Sequence, residues 1–197
     1  MRRSILVTGF VLITTACAAP TQPSGSANEI THADQHDPPS TPTSTPPPTS
    51  RDPFADAFVD AHNRHRASVS PPADPPLPPV AWSDELAATA QAWARRCEFR
   101  HSQTDYGENL GARTDQADPA AMVAEWASEA AHYDHRRDRC ASGQVCGHYT
   151  QMVWRDSTTI GCGVAQCSGG GPFGGGEWFL WVCNYAPPGN WKGQRPY

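Results

Sequence analysis

The sequence predicts a layered α+β domain, and three observations carry that expectation. Apolar side chains recur at helical spacing in three stretches between residues 53 and 133. Two runs of β-type composition follow, Thr159 to Gln166 and Trp178 to Tyr185, joined by the Gly-rich SGGGPFGGGE. Six cysteines other than Cys17 are available to cross-link the folded part. Helices first and a sheet afterwards must pack as layers to bury their apolar faces.

A chain of 197 residues with 20 prolines and 16 glycines divides into three parts. Residues 1–17 read as an export leader: the basic MRRS, the apolar ILVTGFVLITTA, then small residues and Cys17, too short to span a bilayer. Two endings stay open. Lipid could be attached to Cys17 after the small Ala16, or cleavage after Ala18 or Ala19 could free the protein. Residues 18–51 are Pro, Thr, Ser and Gln with almost no large apolar side chain, so a disordered tether is expected. Extended as polyproline at about 3.1 Å per residue, such a tether reaches on the order of 100 Å. Residues 52–197 form the domain. The net charge of −5 grows more negative once the leader's arginines are lost, which argues against nucleic acid or an anionic membrane as partner through bulk charge. Membrane attachment is expected only through the lipid.

Asp52 followed by Pro53 is a helix start, and Phe54, Phe58 and Ala61 repeat along the stripe that His62 borders. A histidine so placed is ordinarily a satisfied core residue. The run from Pro71 to Pro79 is a rigid loop. Ser83 caps a second helix whose Leu86, Ala90, Trp93 and Cys97 share a face. Phe99, His101 and Ser102 come next, and Tyr106 to Leu110 reads as irregular, with Glu108 in a loop. Asp118-Pro119 opens a third helix that places Met122, Trp126, Glu129 and Tyr133 on one side. Burial of an acid there demands a partner; Glu125, one turn earlier, competes with Glu129 for the inward position. Residues 133–146 are expected as a charged loop with Arg136, Arg137 and Arg139 in solvent. His148 falls on a short helical turn near cysteines. Trp178 to Tyr185 carries bulky side chains throughout and is expected to be covered on both faces.

Cys97, Cys140, Cys146, Cys162, Cys167 and Cys183 are an even set in an exported chain, which points to three disulfides. A zinc cluster of Cys140, Cys146 and His148 is the rival, but its spacing lacks the usual two-residue knuckle. Elsewhere, two imidazoles and two carboxylates, His62, Glu108, Glu129 and His148, supply enough donors for a divalent cation if the fold brings them together.

GHYTQMVWRDST followed by GCG, the ending WVCNYAPPGNWKGQRPY, and the earlier AHNRHR, CEFRHS, YGENL and EWASE resemble the domain shared by cysteine-rich secretory proteins, antigen 5 and plant pathogenesis-related proteins of group one, the CAP superfamily. The likeness covers about Phe54 to Tyr197 and is nearest the plant group. Leader and tether instead look bacterial, so a bacterial homologue is expected, secreted or lipid-anchored at the cell envelope. The resemblance implies a three-layer α-β-α sandwich and the pairs Cys97–Cys167, Cys140–Cys146 and Cys162–Cys183. It also implies a metal-binding tetrad of His62, Glu108, Glu129 and His148, choosing Glu129 over Glu125, with zinc as the foremost candidate ion.

Three function classes follow. The favoured one is a non-enzymatic extracellular binding module with a His/Glu cleft for a divalent ion and a nearby groove for a sterol or lipid, in an antimicrobial or host-interaction role. The second is a metal-assisted hydrolase using the same tetrad, the ion activating water and a glutamate serving as base; against it, no Ser or Cys nucleophile is tied to the four, Ser102 and Ser128 being ordinary candidates. The third is a structural or interaction domain in which the four residues form a buried polar network.

Overall fold

A computed structural model describes residues 52–116 and 118–197. The leader, its lipidation at Cys17 and the tether lie outside the described residues. Helix α1, Pro53–Ala67, starts where Asp52 accepts the backbone N–H of Phe54 at 3.1 Å, and it buries Ala55, Phe58, Val59, Ala61, His62 and Arg66. A proline-rich loop leads to strand β1, Ala81–Trp82, and then to helix α2, Asp84–Ala94, capped by Ser83. Strand β2 is Gly107–Arg113, helix α3 is Pro119–Ser128, and a 3-10 turn, Glu129–His132, continues it. The short strands β3, Tyr133–Asp134, and β4, Arg139–Cys140, precede helix α4, Gly147–Met152. The chain then forms the long strands β5, Thr159–Ser168, and β6, Glu177–Ala186. Among the described residues no helix is long and apolar enough to cross a membrane.

The main sheet runs β1-β5-β6-β2, with β1 parallel to β5 and the other pairs antiparallel. On one face α2 covers Leu110, Leu180 and Val182; on the other, α1, α3 and α4 close over Ile160, Trp181 and Tyr185. The three layers are therefore α-β-α. Helix α2 runs close against β5 because Gly161 and Gly163 face it: a Cβ at Gly161 would come within 2.1 Å of the Ala87 nitrogen, and one at Gly163 within 2.5 Å of Gln91 Cα. The three disulfides are Cys97–Cys167, Cys140–Cys146 and Cys162–Cys183, which removes the zinc-cluster alternative.

The structure departs from the sequence expectation in four places. Tyr106 to Leu110 is no loop, because Gly107 to Leu110 pair with β6, Glu108 opposite Asn184. Helix α3 stops at Ser128, so Glu129 caps its end and Tyr133 lies in a strand. Cys97 sits beyond α2 with φ of 54°, where its sulfur reaches Cys167 on β5. The charged stretch after Tyr133 contains the small β3–β4 hairpin, with Arg136, Arg137 and Arg139 exposed as expected.

Candidate functional site

Two histidine–carboxylate pairs carry the polar chemistry of the domain. In the first, Glu129 follows α3 and faces the start of α4. Its Oε2 accepts the backbone N–H groups of His148 at 2.9 Å and Tyr149 at 3.1 Å, while Oε1 meets His148 Nδ1 at 2.6 Å. One carboxylate thus caps the helix and orients the ring. Trp126 lies nearly parallel to that ring, with centroids 6.1 Å apart. Burial alone would raise the Glu129 carboxyl, but the His148 imidazole and the N–H groups of Tyr149 and His148 together hold it below the ordinary glutamate value. The choice between Glu129 and Glu125 is settled by position: Glu125 is exposed and pairs with Arg113 at 2.9 Å.

In the second pair, Glu108 on β2 takes His101 Nδ1 at 2.7 Å, the Ser102 N–H at 2.9 Å and the Ser102 hydroxyl at 2.5 Å. The acid is nearly buried, whereas the His101 side chain is 67% exposed. In both pairs a carboxylate oxygen, which accepts, faces Nδ1, and a neutral ring that donates from Nδ1 has Nε2 as its lone-pair nitrogen. Neither Nε2 makes a hydrogen bond among the described residues.

His62 is placed elsewhere. It is fully buried, with Nδ1 donating to the Phe58 carbonyl at 2.8 Å and Nε2 accepting from the Tyr185 hydroxyl at 2.9 Å. Burial lowers its pKa to about 4, the bond to Phe58 working in the opposite sense. Of the four expected residues, then, Glu129 and His148 meet directly, Glu108 pairs with His101, and His62 has both nitrogens engaged inside the core. His101 is the residue that sequence reasoning missed; its signal was its place in CEFRHS, seven residues before Glu108. Among the described residues, no group of three or more His, Cys, Asp and Glu side chains is gathered to hold a metal ion. Neither serine considered as a nucleophile bonds to an imidazole: Ser102 Oγ donates to Glu108 and Ser128 Oγ to the Glu125 carbonyl.

The two pairs are tied together through the backbone. Asn109, next to Glu108, donates from Nδ2 to the His148 carbonyl at 3.1 Å. On the α2 side, a cavity of about 480 Å³ is lined by Ala88, Thr89, Ala92, Trp93, Arg96, Ser102 and Thr104. Ser102 joins this mostly apolar groove to Glu108.

A model of the cysteine-rich secretory protein family, CAP, matches residues 59–185. Pathogenesis-related protein 1A of Nicotiana tabacum is 43% identical over 142 residues, 70% of this chain and 77% of that protein. Peptidase inhibitor 16 of Bos taurus is 45% identical over 139 residues, 69% of this chain but only 30% of the larger relative. Among solved structures, venom allergen-like protein 4 of Schistosoma mansoni aligns with TM-score 0.59 at 26% identity, covering 74% of this chain and 94% of that one. NaASP2, solved with Zn2+, aligns with TM-score 0.59 at 28% identity over 77% of this chain and 88% of that one. The named relatives are plant and animal proteins and lend no support to the bacterial origin expected from the leader and tether.

Proposed function

This chain belongs to the cysteine-rich secretory protein family, and from that premise we propose that it is an extracellular, non-enzymatic binding module in which His101 and His148 would hold one divalent cation. The supporting observation is common to both rings: a carboxylate fixes Nδ1, leaving Nε2 open as a donor. Imidazoles that bind metals are usually oriented by a carboxylate or carbonyl on their other nitrogen, and zinc suits such ligands. On this reading Glu108 and Glu129 orient rather than ligate, His101 stands where His62 was expected, and water completes the coordination. The ion would supply a Lewis-acid centre for an oxygen of the bound ligand. The zinc in the NaASP2 structure supports the reading by similarity. The apolar groove bordered by Ser102 would take the sterol or lipid, and the likeness to pathogenesis-related proteins supports a defence or host-interaction role. Attachment to a bacterial envelope through Cys17 belongs to the same proposal.

Calorimetric titration with zinc tests it. The wild type should bind, and His101→Ala and His148→Ala should each weaken binding by at least tenfold. Unchanged affinity in both variants, or no binding by the wild type, overturns the reading.

A further inference from the structure

A buried chain of hydrogen bonds ends at the His148 pair. The Phe58 carbonyl accepts from His62 Nδ1, the Tyr185 hydroxyl donates to His62 Nε2, and Asn109 Nδ2 donates to the Tyr185 oxygen at 3.0 Å. The second hydrogen of the same amide goes to the His148 carbonyl at 3.1 Å. His62, Asn109 and Tyr185 are at most 1% exposed. A carbonyl can only accept, so the His62 tautomer is fixed, the single Tyr185 hydrogen must go to Nε2, and the Tyr185 oxygen is left to accept from the amide. Each hydrogen therefore has one place.

The last link joins two parts of the proposed site. Asn109 immediately follows Glu108 on β2, and its amide spans from there to the first turn of α4, which carries His148. A second feature accompanies this approach: a Cβ on Gly107 would come within 2.2 Å of Gln151 Oε1 on α4, so glycine here lets the Gln151 amide stay where it bonds Ser157 and the Gly189 N–H. A buried amide is costly unless its hydrogens are taken up, and here both are.

We infer that Asn109 is a positioning residue, supported by Tyr185 and His62, that holds β2 against the His148 carbonyl and thereby sets the separation and orientation of the His101 and His148 imidazoles. The inference rests on reading these two rings as the cation site. It gives His62 a role behind the site rather than in it.

The test uses the full chain labelled with nitrogen-15, in which ring signals report the tautomer and mobility of each histidine without metal, followed by titration with zinc alone. Wild type should show His148 as a single Nδ1–H tautomer. Asn109→Leu, which removes both donors at similar volume, should broaden or average the His148 ring signals, and should weaken zinc binding about tenfold or more, the usual range for losing an outer-shell partner. Tyr185→Phe should shift the same signals less, because the amide keeps its bond to His148. Unaltered His148 signals in folded Asn109→Leu overturn the inference; if that variant does not fold, unaltered signals in Tyr185→Phe do so. If the wild type takes up no zinc while the His148 signals still respond to Asn109→Leu, the cation reading falls and the positioning role stands.

Discussion

The two histidine–carboxylate pairs use the same contact in different settings. At His148 the ring is 28% exposed, stacked beside Trp126, and its acid also caps α4. At His101 the acid is buried and the base stands in solvent on the loop between α2 and β2. The first pair is held from both the ring and the carboxylate side, the second only from the carboxylate side. Rigidity therefore comes from what surrounds the hydrogen bond, since the bonds themselves, 2.6 and 2.7 Å, are nearly equal.

The largest test of that contrast is removal of the Cys97–Cys167 bridge. It closes a separation of 70 residues and anchors the chain four positions before His101. Replacing both cysteines by serine should cost about 4 kcal/mol in the chain-entropy model, measured by urea unfolding. The ring signals of His101 should change while those of His148 persist; equal disturbance of both would erase the distinction.

Acid is the next lever, because the hydrogen-bond chain from His62 ends at the His148 carbonyl. Its folded pKa of about 4 is below the ordinary value of 6.5, so the unfolded chain binds the proton more readily. Its contribution is complete above pH 6.5 and declines as pH falls toward 4, by about 3 kcal/mol at 1.36 kcal/mol per unit. Urea midpoints between pH 7 and 4.5 should fall less steeply in His62→Gln than in the wild type. Glu129, held below its usual value, adds loss in the same direction at lower pH.

Smaller effects separate the two pairs directly. Glu129→Gln replaces a charged acceptor of two backbone N–H groups and one ring, and should cost about 2 kcal/mol. His101→Ala, at an exposed position, should stay within about 0.5 kcal/mol of the wild type in thermal unfolding even where it removes zinc binding.

Much of the scaffold was legible because it is written locally. Asp52, Ser83 and Asp118 announce three helices through side chains that accept nearby N–H groups, and the bulky run at Trp178 announces a strand buried on both faces. Strand β2 was not legible: Gly107, Glu108 and Asn109 are poor strand formers, and they extend only because β6 offers a partner edge. The site was legible in half. His148 and Glu129 stand out by motif, but the pairing of Glu108 with His101 depends on how a loop folds back, which no periodicity records. The helical stripe beside His62 did point to burial, and the resemblance weighed against that local signal when it placed His62 among the ligands.

A single carboxylate secures both the ring of His148, through Oε1, and the opening turn of its helix, through Oε2, so that imidazole swings only by giving up its bond to the group that caps the turn. On the cation reading proposed above, an arriving ion would meet one donor packed beside Trp126 and another, at position 101, held only by its bond to Glu108. Discrimination between ions of different radius would then fall to the outer ring, whose reach would decide which of them fit.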